Sequence, residues 1–327
     1  ARQFLEVKGR PMRLKTFVNT MLGETWEDTG ERVEAHMLVD RLEKFPADVP
    51  EDVICLTAGV DVQDHYLEVW VWGWGREQSS APIYWEQIPG DPGTPAPWRA
   101  LDEIRRRRWT NAAGKEFRIV SGFVDSGGHH TQQVYNWCRP RQKARWFACK
   151  GVGGEGVALV GKPTFQGEAK VMLRSVGVFT AKEQFLRSQL HVREEGPEFV
   201  RLPDWLTIEH LKGLTSEKLV KRIVGNKRVR EWVTIHDRNE PLDCRNYAFA
   251  ALHGLPLRWL QKMGIVATAT PKRPAVAPPK PPPPVEGAEP PQAEPVDVTP
   301  TDDPNEDDEI APRKRKRRRI RWNPRGF

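Results

Sequence analysis

The 327-residue sequence has few cysteines and no long apolar run. Its four cysteines are scattered and none belongs to a CxxC pair, which argues against a zinc knuckle and predicts reduced, mostly buried thiols. No apolar stretch approaches the roughly 18 residues that a membrane span needs, so we expect no membrane partner. Residues 1–4 are neither an initiator methionine start nor a signal peptide, which predicts a piece of a longer protein.

Charge is unevenly distributed along the chain, with a net value of +7 and a pI near 9.3. A basic balance suits a polyanionic partner without proving one. Residues 271–295 are mainly Pro, Ala, Lys and Glu, residues 297–309 are acidic, and residues 313–319 are all Arg or Lys. Such blocks cannot bury a core, so residues 265–327 are predicted to be a disordered tail.

Two further segments precede this tail. Residues 1–50 contain short helical patterns interrupted by Pro46 and Pro50, which predicts a helical lead-in or linker outside the core. Residues 51–264 have the composition of an α/β domain. Apolar or alternating runs predict strands at residues 54–62, 66–74, 83–88, 118–124 and 146–150, and helices at residues 98–108 and 131–138. This order predicts a ribonuclease H-like fold, with a mixed central sheet flanked by helices.

Two aspartates end predicted apolar strands. Asp61 stands in Gly-Val-Asp-Val-Gln, and Asp125 is followed by Ser and two glycines. An unpaired carboxylate is costly to bury in such a place, and a metal ion or a basic group would remove that cost. A single Asp at a strand end is more often a turn or cap residue, so neither position identifies a site alone.

A third acidic position lies near the start of a predicted apolar helix. Pro241 fits the first turn of that helix, and Glu240 and Asp243 are spaced to share one side of it. Three separated carboxylates that converge are what a two-metal phosphodiesterase needs, and hard oxygen ligands favour Mg²⁺ or Mn²⁺. We expect Asp61 to bridge two such ions, while Asp125 and either Asp243 or Glu240 hold one each.

Basic residues near these positions are candidates for DNA contacts. Lys150 follows a predicted strand, and Arg105, Arg106 and Arg108 belong to a four-arginine run on a predicted helix. The arginine run is equally typical of a solvated helix face. Residues 156–162 match GxxxxGK, but Pro163 stands where a phosphate loop needs Ser or Thr, which argues against ATP binding.

Several segments resemble, in the same order, the large terminase subunit of lambda-like tailed phages, the GpA family. They are residues 14–20, 22–24, 26–27, 58–63, 73–75, 88–92, 124–128, 135, 138–139, 150–151, 214–218, 230–232 and 238–244. The resemblance covers about residues 10–255. The sequence departs from the family at Phe179, where a polar or acidic residue often precedes Thr-Ala-Lys. The resemblance does not extend to the family's ATPase motor, so we expect this chain not to translocate DNA by itself.

The resemblance implies an endonuclease that cuts double-stranded viral DNA when packaging into proheads begins and ends. It places the acidic ligands of two Mg²⁺ or Mn²⁺ ions on Asp61, Asp125 and the Glu240/Asp243 pair. It further implies a terminase small subunit as partner and a location in the host cell cytoplasm. By analogy with the family, the basic tail is expected either to dock on the capsid portal or to bind the DNA backbone.

Two other functions remain open from the sequence. One is a DNA-binding or portal-docking module that is inactive without its motor, which the basic tail favours. The other is a different ribonuclease H-like nuclease, of the transposase or resolvase type, which would prefer transposon ends or branched DNA over linear duplex.

Overall fold

The computed structural model describes residues 33–267 except 169 and 225–226, together with Arg13, Leu14, Phe17 and Met21. Side chains of residues 222–228 are outside this description. The tail predicted from residue 265 therefore lies outside the described residues from position 268 onward, as do most of residues 1–32 of the predicted lead-in.

Helices and strands are interspersed along the described chain. The helices are α1 (Ala35–Val39), α2 (Pro95–Arg106), α3 (Thr131–Cys138), α4 (Val178–Arg187), α5 (Ile208–Leu214), α6 (Glu240–His253) and α7 (Leu257–Lys262). The strands are β1 (Leu42–Glu43), β2 (Cys55–Val62), β3 (Tyr66–Trp74), β4 (Ser80–Pro89), β5 (Trp109–Thr110), β6 (Glu116–Phe117), β7 (Ile119–Asp125), β8 (Trp146–Val152), β9 (Thr164–Gln166), β10 (Val171–Gly177), β11 (Leu202–Pro203), β12 (Glu217–Val224) and β13 (Lys227–Thr234).

A mixed sheet of seven strands forms the centre, in the order β4-β3-β2-β7-β8-β10-β9. Strands β2, β3 and β4 are antiparallel neighbours, whereas β2, β7, β8 and β10 run parallel. Edge strand β9 is antiparallel to β10. The predicted α/β class with a mixed central sheet and flanking helices is therefore confirmed.

Side chains alternate between the two faces of β2, as the pleat of a strand requires. Leu56, Ala58 and Val60 belong to a buried cluster that also contains residues of α2. Thr57 faces the opposite side, where its hydroxyl donates to the carbonyl of Ala248 in α6 at 2.6 Å. The face on which Asp61 stands is therefore the face covered by α6.

Helix α6 packs unusually close to β2. A Cβ atom added at Gly59 would lie 1.8 Å from the carbonyl oxygen of Cys244, so only glycine leaves room for the helix backbone. Pro241 occupies the first turn of α6, where its missing N–H costs nothing. This close packing fixes the first turn of α6 against the end of β2.

The segment before β2 differs from its prediction. It was expected to be a lead-in outside the core, yet Val33, Ala35 and Leu38 are buried in the same cluster as Trp72 and Trp74 of β3. Helix α1 ends at Val39, well before the two prolines, and its apolar side is nevertheless packed into the core. In the described part of the chain, no helix is long and apolar enough to cross a membrane.

Candidate metal and nuclease site

Asp61 lies one residue before the end of β2 and is only 6% exposed. The amide of Gln63 donates to its Oδ2 atom at 2.5 Å. Burial of this carboxylate follows from its place on the face covered by α6. A charged group in that position requires compensation by a partner of opposite charge.

Asp125 ends β7, the parallel neighbour of β2. Since Val60 pairs with Val124, the two aspartates that follow lie side by side at the same edge of the sheet. The backbone N–H of Gly127 donates to Asp125 Oδ1 at 3.1 Å, and the hydroxyl of Tyr247 in α6 donates to the same carboxylate. The prediction that two strand ends bring carboxylates together agrees with this register.

Asp243 and Glu240 occupy the first turn of α6. Asn239 donates to Asp243 Oδ2 at 2.9 Å, and Tyr66 donates to Glu240 Oε1 at 3.1 Å. The other oxygen of Glu240 is buried without a hydrogen bond and lies 3.8 Å from Arg238 Nε. Both acids therefore stand at the edge of the sheet where β2 and β7 end, and Glu240 contacts Tyr66 of β3.

Glu68 of β3 pairs directly opposite Asp61 and is fully buried. Its oxygens accept from Trp70 Nε1 at 2.9 Å, Trp85 Nε1 at 3.0 Å and Arg238 Nη2 at 2.7 Å. These donors compensate its charge within the protein. Glu68 is therefore a structural acid next to the site and not a free ligand.

The aspartates strongly affect one another electrostatically. Burial, followed by the charges of Asp243 and Asp125, raises the pKa of Asp61 to about 8, against the hydrogen bond from Gln63. Burial also raises the pKa of Asp243 to about 6, with Lys182 opposing and Glu217 adding to the shift. Burial raises the pKa of Asp125 in the same direction. The site thus holds more negative charge than its surroundings neutralise.

These residues fit a hard divalent cation in their chemistry. All the donors are carboxylate oxygens, which Mg²⁺ and Mn²⁺ prefer, and a cation would compensate for the burial that raises their pKa values and for the acidic neighbours that add to the shifts of Asp61 and Asp243. Within the part of the chain that is described, however, no group of three or more His, Cys, Asp or Glu side chains is arranged closely enough to hold a metal ion as it stands. Side-chain movement would be needed to bring the oxygens onto one ion.

The raised pKa values predict how the metal-free protein responds to pH. Asp61 binds a proton in the folded state up to about pH 8, but in the unfolded state only up to its ordinary value near 3.8. The folded state therefore binds more protons between these values, and the free energy of unfolding falls as pH rises from about 4 to 8. Thermal melting in EDTA across this range measures the effect, and a melting temperature that rises toward pH 8 would contradict it.

The basic residues predicted to contact DNA separate into two places. Lys150 is exposed on β8 and its charge acts on Asp125, which places it beside the site. Arg108 lies 3.9 Å from Glu116, which precedes β7. The start of β7 is roughly 20 Å from Asp125 at the other end of that strand. Arg105 donates to Asp102 at 2.8 Å, and Arg106 lies 4.0 Å from the same acid and is largely exposed. The arginine run is therefore not brought to the carboxylates, and its contact with DNA stays a prediction.

Three side chains near the carboxylates were not predicted from the sequence. Tyr247 holds Asp125, while Lys182 lies 2.6 Å from Glu217 and 3.9 Å from Asp243. Tyr247 follows Asp243 by one helical turn, which is a signal that could have indicated it. Nothing in the spacing of Lys182 or Glu217 connects them with Asp243.

The GxxxxGK match at residues 156–162 lies in a loop that leads from β8 into strand β9, whereas a phosphate loop opens a helix. The four cysteines are buried and free, as predicted. His129 Nδ1 lies 3.0 Å from Asp64 Oδ1 on the exposed surface, consistent with surface roles for both.

Comparison with known proteins agrees with the resemblance seen in the sequence. The chain is 34% identical over 266 residues to the terminase large subunit of Escherichia phage lambda, covering 79% of this chain and 41% of that protein. It is 32% identical over 272 residues to the terminase large subunit of Enterobacteria phage P21, covering 81% of this chain and 42% of that protein. The chain thus spans about two fifths of the length of these curated relatives, and no solved structure matches it significantly. Residues 1–263 match the family described as terminase large subunit gpA, endonuclease domain, and the chain belongs to that family.

Proposed function

We propose that this chain is a divalent-metal-dependent endonuclease that cuts double-stranded DNA while a viral genome is packaged into proheads. The observation that carries the proposal is the juxtaposition of Asp61, Asp125 and Asp243 at one edge of the sheet, where burial raises all three pKa values and the charges of Asp243 and Asp125 add to the shift of Asp61. Membership of the endonuclease-domain family supports the same reaction class.

The strand order supports a ribonuclease H-like fold. Three antiparallel strands come first, and the first of them then pairs in parallel with β7, which pairs in parallel with β8. An acidic residue stands at the end of β2 and another at the end of β7. Ligand sites in open α/β sheets commonly lie at such carboxyl ends of parallel strands.

The three aspartates are the proposed metal ligands. Asp61 is the most deeply buried of the three, and the charges of both others act on it, so it would be the carboxylate shared by two ions. Asp125 and Asp243 would each hold one ion. Glu240 is the weaker candidate for the third position, because Tyr66 and Arg238 already contact its two oxygens.

The chain's own residues would position the substrate and the ligands. Bound Mg²⁺ or Mn²⁺ ions would lower the pKa of the attacking water and stabilise the leaving oxygen. Lys150, whose charge acts on Asp125, would contact a DNA phosphate, and the Tyr247 hydroxyl would keep the Asp125 carboxylate oriented. Contacts of Lys and Arg with phosphates are independent of sequence and weaken as salt rises.

Cutting at defined places would then depend on partners. The proposed partners are a terminase small subunit and a capsid portal contacted by the basic residues 313–319, in the host cell cytoplasm. The relatives' large subunits are more than twice as long as the matched segment. That the matched segment is active without the rest of a large subunit is therefore part of the proposal.

Incubation of the purified chain with supercoiled plasmid tests the function. We expect nicked and linear DNA with Mg²⁺ or Mn²⁺ and none with EDTA, since the reaction depends on the cations that the carboxylates hold. Plasmid that is bound but never cut with either metal would instead favour a DNA-binding or docking module.

A further inference from the structure

Lys182 and Glu217 form a buried ion pair next to Asp243. Lys182 Nζ lies 2.6 Å from Glu217 Oε1 and 3.9 Å from Asp243 Oδ1. The side chains of Lys182 and Glu217 are only 10% and 7% exposed. Helix α4, strand β12 and helix α6 therefore bring one ammonium group and two carboxylates together, one of which is the proposed metal ligand Asp243.

The pair is neutral overall, and its Lys182 member fixes the orientation of the Asp243 carboxylate. Lys182 attracts Asp243 Oδ1 while Asn239 holds Oδ2, so each carboxylate oxygen has a partner. Glu217 in turn neutralises Lys182. A buried charge without its partner is strongly unfavourable, so removal of either member would leave the other acting on the carboxylates without compensation.

We propose that Lys182 and Glu217 are positioning residues that set the orientation and the charge balance of Asp243, and thereby the strength with which the site holds a divalent cation. This inference rests on the proposed metal-dependent function. It assigns no contact with DNA or with the reacting atoms to either residue.

Opposite changes in cation affinity follow from this arrangement. Lys182→Met removes a positive charge and frees the Glu217 carboxylate, so a divalent cation is attracted more strongly and toward the Glu217 side. Glu217→Gln leaves the Lys182 charge uncompensated, so the cation is repelled. Removing both charges together restores the balance.

Manganese binding measured by electron paramagnetic resonance of free Mn²⁺ tests the inference. We expect Lys182→Met to bind Mn²⁺ roughly tenfold more tightly and Glu217→Gln roughly tenfold more weakly than the unmodified chain, from the change in local charge. The double variant should return to within about threefold of the original affinity. Plasmid nicking by Lys182→Met should nevertheless fall on the order of a hundredfold, because its cation and Asp243 are displaced.

A purely structural ion pair gives a different pattern. Melting temperatures in EDTA would fall in both single variants, and Mn²⁺ affinity would fall or stay unchanged in both. That pattern overturns the inference, as does wild-type affinity in a folded Lys182→Met. If one single variant does not fold, the other single variant and the double variant still give the sign of the effect.

Failure of the proposed function is separable from failure of this inference. An unmodified chain that binds Mn²⁺ and nicks plasmid, while the variants bind Mn²⁺ as it does, overturns only the role of Lys182 and Glu217. An unmodified chain that neither binds Mn²⁺ nor nicks overturns the metal-dependent function and this inference with it.

Discussion

Asp61→Asn is expected to abolish metal-dependent nicking of plasmid DNA, lowering the rate by at least about a thousandfold. The change keeps the size of the side chain but removes the carboxylate proposed to bridge the two ions, and metal stabilisation of the transition state is worth several kcal/mol. Binding of DNA in EDTA should persist, because phosphate contacts come from Lys and Arg side chains.

The same variant should be more stable than the unmodified chain when no metal is present. Asp61 is 6% exposed and its pKa is raised to about 8, so between about pH 4 and 8 folding requires this carboxyl to take up a proton, which favours the unfolded state. We expect the melting temperature in EDTA at pH 8 to rise by roughly 5 °C in Asp61→Asn. The stabilisation by added Mn²⁺ should be lost.

Asp64→Asn is the matched control, because Asp64 lies three positions away on an exposed turn where it contacts His129. It should retain nicking and show no gain in stability. Nicking by Asp61→Asn within tenfold of the unmodified rate would contradict the assignment of Asp61 as a ligand.

Gly59→Ala is expected to produce the largest loss of stability, of about 3 kcal/mol or more. The added methyl carbon would lie 1.8 Å from the carbonyl oxygen of Cys244 and 2.8 Å from the backbone N of Ala248. These are backbone atoms of a buried helix and cannot move aside independently. Either α6 shifts away from the sheet or the protein fails to fold, and in both cases Asp243 leaves its place beside Asp61.

Gly153→Ala provides the comparison for this prediction, because a Cβ atom there would meet nothing within 4 Å. Urea unfolding of both variants measures the difference. Gly153→Ala should unfold at the urea concentration of the unmodified chain, within about 0.5 kcal/mol. Equal stability of Gly59→Ala and Gly153→Ala would contradict the close packing of α6 on β2.

Local patterns in the sequence predicted the centre of the sheet well. Strand β3 and helix α3 have the predicted bounds, since each is a continuous pattern closed by polar or glycine residues. Strand β4 begins three residues earlier than predicted, because its first residues are small or polar and pair with Trp74 and Gly73 of β3. Helix α2 begins at Pro95, a residue that is favourable in a first turn but gives no apolar periodicity.

Long-range packing explains what the sequence could not predict. The burial of Leu38 depends on a core cluster that includes Leu211 and Leu214 of α5, which lie far along the chain. Asp61 and Asp125 could be predicted because each interrupts the end of an apolar strand. Lys182 and Glu217 could not, because a buried ion pair leaves no local pattern and forms only when α4, β12 and α6 meet.

Anomalous X-ray scattering from crystals of the chain soaked with Mn²⁺ tests the central claim most directly. The account predicts manganese peaks at the edge of the sheet, with carboxylate oxygens of Asp61, Asp125 and Asp243 roughly 2.0–2.4 Å from the ions after the side chains close on them. A map without a peak among these three carboxylates, at a Mn²⁺ concentration that supports nicking in solution, would contradict it.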